Sequence, residues 1–177
     1  MAINKGYLTA KTDKASDEVY TPAYAVKAIL PYIPPHYTRI WCPFDEEDSE
    51  YVIQLRKAGY KVIASHIDND QNFFYYEPES EYDAIISNPP FSIKDDVIKR
   101  LYELDKPYAI LLPVPALQGQ KRFPYMKDCQ AVIFDKRINY FTNKQTKEIQ
   151  KGVSFGSFYL CRHFLEDGNL KFHELII

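Results

Sequence analysis

The residues best suited to chemistry are Ser87-Asn88-Pro89-Pro90-Phe91, at the end of an apolar run. Proline locks its own φ and lacks an N–H, and a residue that precedes proline is pushed out of the helical region. Asn88 and Pro89 each precede a proline, so both are extended and stiff. The turn presents the Asn88 side-chain oxygen and backbone carbonyls as acceptors at fixed angles, offers few donors, and sets the flat face of Phe91 beside them. Two rigid acceptors and a ring suit a planar group that carries an NH₂, such as the exocyclic amine of adenine. The lone pair of that nitrogen is delocalised into the ring. Acceptors that grip both N–H bonds favour a pyramidal nitrogen, and they strengthen as charge develops in the transition state. Stacking on Phe91 is worth roughly 1–3 kcal/mol, which helps offset the few kcal/mol of turning a base out of a duplex. The plain alternative is a Pro-Pro turn that does no more than end a strand.

The surrounding pattern supplies the frame. Thr21-Pro22 opens a helix, with Thr as N-cap and Pro in the first turn, and Ala25, Val26, Ile29 and Leu30 form its apolar stripe. "YTRIWC" (37–42), "YKVIASHID" (60–68, ending at Asp68), "YDAIIS" (82–87), "YAILLPV" (108–114) and "AVIFD" (131–135) read as strands. Residues 47–58, 93–104 and 116–127 read as helices, the first stopped by Gly59. "YDAIIS" is a continuous apolar run of the kind buried on both faces of a parallel sheet. This alternation predicts an α/β fold with a mainly parallel sheet and helices on both faces. Residues 139–153 read as a polar, basic loop, and two late strands after it form an expected antiparallel pair at one edge of the sheet. In open α/β sheets ligands bind beyond the carboxyl ends of the strands, which is where Asn88 would lie.

Composition narrows the function classes. With 177 residues, a single domain over 1–177 is expected, preceded by a polar stretch over 1–19. The net charge of −2 describes no general nucleic-acid binder. The charge is uneven, however: residues 41–83 hold eleven acidic and three basic side chains, and residues 119–151 hold eight basic and three acidic. The second stretch can attract phosphate, or it can be an ordinary solvated face. Three cysteines without CxxC pairing and four scattered histidines offer neither a disulfide framework nor a metal site. No long apolar run or signal-like start is present, so a cytoplasmic chain with no membrane partner is expected.

"SNPPF" resembles the catalytic motif of the S-adenosylmethionine-dependent adenine-N6 DNA methyltransferases, a tetrapeptide of Asn, Asp or Ser, then Pro-Pro and an aromatic residue. "DEVYTP" (17–22) resembles the segment that opens their cofactor pocket, and "KRINYF" with "GVSFGSFYLC" resembles their late strands. The likeness is greatest to the short phage and prophage members. It implies a Rossmann-like methyltransferase fold and the transfer of a methyl group from S-adenosylmethionine to adenine N6 in double-stranded DNA. It implies catalysis by Asn88, Pro89, Pro90 and Phe91, and cofactor contacts from Tyr20, Thr21, Pro22, Asn88, Asp68 (ribose hydroxyls) and Phe73. Phosphate contacts are expected from Lys121, Arg122, Lys136, Arg137, Lys144, Lys147 and Lys151.

One segment departs from the family pattern. Where the family has Asp-Pro-Phe-x-Gly-x-Gly, this chain has Cys42-Pro43-Phe44-Asp45-Glu46-Glu47-Asp48. Pro43 and Phe44 are kept as cofactor-loop residues, and Asp45 is expected to meet the cofactor amine in place of the missing acid. Alternatively, the acids only start a helix. Two further readings stand beside DNA methylation. One is an inactive methyltransferase-fold relative that binds nucleic acid or protein. The other is methylation of RNA or of a protein glutamine amide.

Overall fold

The computed structural model describes residues 19–143, 145–149 and 155–177; Lys144, Lys151 and nearly all of the expected polar start lie outside them. The strands are β1 (Arg39–Cys42), β2 (Lys61–Ala64), β3 (Ala84–Ser87), β4 (Tyr108–Pro113), β5 (Cys129–Phe134), β6 (Ser157–Arg162) and β7 (Leu170–His173). They form one seven-stranded sheet in the order β2-β1-β3-β4-β6-β5-β7. Strands β2, β1, β3 and β4 run parallel. Strand β6 runs antiparallel to both β4 and β5, while β7 pairs parallel with β5 at the edge.

Alternate residues of the strands enter different layers, as the pleat requires. Ile40, Cys42, Ala84 and Ile86 pack with Val26, Ile29, Val52 and Leu55. These come from helices α1 (Ala23–Lys27) and α2 (Glu50–Lys57) and the turn after α1. Trp41, Ile85, Tyr108 and Ile110 pack with Val97, Ile98 and Leu101 of helix α3 (Lys94–Leu104). Burial on both faces explains why β3 and β4 read as unbroken apolar runs.

Several expected elements change form. Thr21 does not cap α1: Pro22 holds that place, with no side-chain cap bond, and the Thr21 hydroxyl accepts instead from Asn88. Helix α2 starts at Glu50, with Ser49 Oγ accepting from Val52 N, so the acids before it remain loop. Strand β2 ends at Ala64, and Asp68 sits in a 3-10 turn, Ile67–Asn69. The helix expected over 116–127 is absent. Two 3-10 turns, Val114–Leu117 and Phe123–Tyr125, stand there, each with a proline in its first turn. Carbonyls that a helix would use internally accept from the Arg122 guanidinium instead. The two late strands are not neighbours, because β5 separates them.

Candidate active site

The chain passes from β1 out to β2 and returns on the other side of β1 as β3, so the sheet's direction of winding switches between β1 and β3. Such a switch opens a crevice beyond the strand ends. Here it is a cleft of about 850 Å³, within the size range of small-molecule sites. Asn88, Pro89 and Pro90 from the end of β3 line one wall. Pro43, Phe44 and Asp45 from the end of β1 line another.

Two hydrogen bonds set this geometry. Ser87 Oγ donates to Asp45 Oδ2 at 2.5 Å, joining the ends of β3 and β1. Ser87 is fully buried and Asp45 is 7% exposed, so the bond is shielded from water. Asn88 Nδ2 donates to Thr21 Oγ1 at 3.1 Å, which joins the N-terminal segment to the same corner. The other amide atom, Asn88 Oδ1, is buried and has no hydrogen-bond partner. A buried acceptor left unpaired is uncommon and calls for an explanation. Asn88 lines the cleft, and a turn of its amide would bring this oxygen to an amine donor there.

The remaining expected residues divide between the cleft and other places. Tyr20 and Thr21 line the cleft, with Tyr20 held by a backbone bridge to Phe141. Pro22 is buried behind them at the start of α1. Asp68 lines the cleft, as does Phe73, whose ring packs on Phe44 at 4.9 Å and on Trp41 at 5.6 Å. Cys42, which stands where the family has an acid, is buried in the core, and burial pushes its thiol pKa well up. Asp45 occupies the wall of the cleft nearby. Phe91 is not among the lining residues: its ring stands edge-on to Phe155 at 5.6 Å and to Tyr140 at 6.1 Å, against both core layers.

The cations also divide. Lys121, Lys136 and Arg137 are exposed, and Lys136 pairs with Asp135 at 3.4 Å. Arg122 is 7% exposed and fully engaged by Asp95 and backbone carbonyls, so it is no surface phosphate contact. Lys147 turns into the cleft and meets Glu50 at 3.6 Å. Lys144 and Lys151 lie outside the described residues.

The walls carry Asp45, Glu46, Asp48, Glu50 and Asp68 against Lys147, an arrangement that favours a cationic guest. The acids of "DEEDSE" therefore serve two ends. Glu47 pairs outward with Arg56, whose hydrogen bond holds its carboxyl below the usual range, while its neighbours face the cleft. Tyr51 also lines the cleft; its hydroxyl meets that of Tyr159 at 2.9 Å, and Tyr159 donates to Ala25 O at 3.1 Å. Burial drives both phenols well above their ordinary pKa, so they stay neutral. Sequence reading included Ser87 in the corner motif without a role of its own, and missed Glu50 and Tyr51. A small polar residue closing an apolar strand was the available signal for Ser87; none marked Glu50 or Tyr51. Among the described residues, no group of three or more His, Cys, Asp or Glu is placed to hold a metal, and no helix is long and apolar enough to cross a membrane.

No protein-family model and no curated protein sequence matches this chain. Solved structures do. A type I restriction-modification methyltransferase subunit from Streptococcus thermophilus matches with a TM-score of 0.48 and 13% identity, over 89% of this chain and 47% of that one. TrmN from Thermus thermophilus matches at 0.41 and 11%, over 79% and 47%. A putative methyltransferase from Thermoplasma acidophilum matches at 0.40 and 10%, over 79% and 73%. The chain thus spans about half the length of the first two proteins.

Proposed function

We propose that the protein transfers a methyl group from S-adenosylmethionine to the N6 amine of adenine in DNA. The observation that carries this reading is Asn88 Oδ1: a buried, unpartnered acceptor on a proline-stiffened corner that lines the cleft. The cofactor suits the walls. Its sulfonium and ammonium groups are cationic and the cleft is acidic; Asp68 is an acceptor for ribose hydroxyls, and Phe44, Ile67 and Phe73 offer apolar surface for a base. When bound, the cofactor supplies an electrophilic methyl group.

The chain's own residues do the rest. Asn88 Oδ1 and the Pro89 carbonyl accept the two N–H bonds of the target amine, which frees the nitrogen lone pair. Thr21 Oγ1 accepts from the Asn88 amide and sets its resting orientation. The Ser87–Asp45 bond fixes the distance between this corner and the cofactor loop, and small errors in such positioning cost large factors in rate. Phe91, held edge-on by Tyr140 and Phe155, offers a face for the flipped base only where those rings leave it open.

The experiment is transfer of labelled methyl from S-adenosylmethionine to duplex DNA, followed by nucleoside analysis, beside calorimetric titration of the cofactor. Label in N6-methyladenine supports the proposal; cofactor binding with label only in RNA or in a glutamine amide moves the substrate. One observation favours a second reading, a non-catalytic relative: Glu46 and Asp48 line the cleft where the family has glycines. Absence of cofactor binding at millimolar concentration, with the fold intact, would establish that reading over the first.

A further inference from the structure

We propose that the loop after β4, residues 114–125, is a preformed apolar contact for duplex DNA beside the adenine site, braced from within by Arg122. The inference rests on the reading that the substrate is DNA, and it names the surface that meets the duplex.

The loop is built around one buried cation. Arg122 Nε donates to Ala116 O at 2.6 Å, and one terminal nitrogen, Nη2, donates both to Pro115 O at 3.2 Å and to Gln118 O at 2.5 Å. A further nitrogen pairs with Asp95. Asp95 belongs to the first turn of α3, and the segment just before it is the Pro90–Ile93 corner. The guanidinium therefore fastens the loop to the first turn of α3, the helix that follows the Asn88 corner. Gly119 is needed for this closure, because a Cβ there would run into the Arg122 guanidinium. Pro115 and Pro124 stiffen the two 3-10 turns.

A loop so well satisfied inside shows apolar groups outside. Phe123 is 65% exposed, Leu117 47% and Val114 40%. Single exposed apolar residues are ordinary; here three stand on one braced loop. Lys121, between Leu117 and Phe123, is exposed, and Lys127 follows. Strand β4 pairs with β3 in parallel register, Ser87 opposite Ile110, so the loop leaves the same end of the sheet as Asn88. Apolar side chains that enter base steps, with lysine on phosphate, are a recurrent way to hold a distorted duplex. An extruded base also leaves a gap in the stack that such a side chain can fill. The buried Arg122 thus acts as a positioning residue, and the exposed Leu117 and Phe123 make the contact.

The test uses a fluorescein-labelled mixed-sequence duplex and anisotropy. Leu117→Ala with Phe123→Ala, both at exposed sites, is expected to weaken binding about tenfold. Calorimetric affinity for S-adenosylmethionine should not change. Lys121→Ala should lower the slope of log affinity against log salt by about one. Gly119→Ala, which displaces Arg122 without removing any contact residue, should reproduce the loss seen with the double variant. Wild-type methylation of adenine with no effect of these variants on duplex binding overturns the loop's role and leaves the function standing. Variant-sensitive duplex binding without methyl transfer does the reverse. Failure of the wild type to bind duplex, with the loop instead required for capture of a protein, overturns both.

Discussion

Replacing Asn88 with alanine should move stability and activity in opposite directions. In the folded protein Oδ1 is buried without a partner, a defect that costs about 1–3 kcal/mol. Alanine removes it. The same change deletes the Nδ2 bond to Thr21 Oγ1, worth about 0.5–1.5 kcal/mol. The balance favours the variant by about 1 kcal/mol, a rise in Tm of about 2–4 °C for a chain of this size. Methyl transfer should fall by about 10²–10³, the usual effect of losing one group aimed at developing charge. Urea unfolding followed by circular dichroism reads the first quantity, and single-turnover transfer of labelled methyl reads the second. A variant destabilised by more than about 1 kcal/mol would refute the reasoning, since Oδ1 could not then be an unmet acceptor. Retained transfer would remove Asn88 from catalysis.

Other consequences follow from the same cleft. Ser87→Ala removes a buried donor from the Asp45 carboxyl and should destabilise by about 1–3 kcal/mol; adding Asp45→Asn should recover part of that loss, and additivity of the two changes would show that they do not interact. Asp68 is exposed, so Asp68→Asn should leave stability within about 0.5 kcal/mol while weakening S-adenosylmethionine at least about tenfold by calorimetry. Burial raises the pKa of Tyr51, Tyr140 and Tyr159 above the ordinary value of 10.0. The unfolded chain gives up those protons first, so their contribution is complete below about pH 10 and is lost as pH rises beyond it. Urea midpoints measured between about pH 8 and 11 should fall in the upper half of that range, and a flat profile would contradict the burial of the three phenols.

Much of the frame was legible in the order of residues. Unbroken apolar runs such as "AIIS" and "YAILLP" encode strands covered on both faces, because only burial makes such runs stable. The Asn-Pro-Pro corner was legible for a local reason: proline restricts its own backbone and that of its predecessor without help from the rest of the chain. The acids of 45–48 and the arginine at 122 were not legible in this way, because charge alone does not say which way a side chain faces. Tertiary structure turned Asp45 toward Ser87, forty-two positions away, and turned Arg122 inward onto the carbonyls of its own loop. It also inserted β6 between β4 and β5, since strand order depends on long-range pairing that local pattern does not encode. The sequence by itself determined which segments are strands and where the chain must be stiff. Only folding decided which charges meet each other and which meet the cleft, because that choice is made by desolvation and by partners brought from far along the chain.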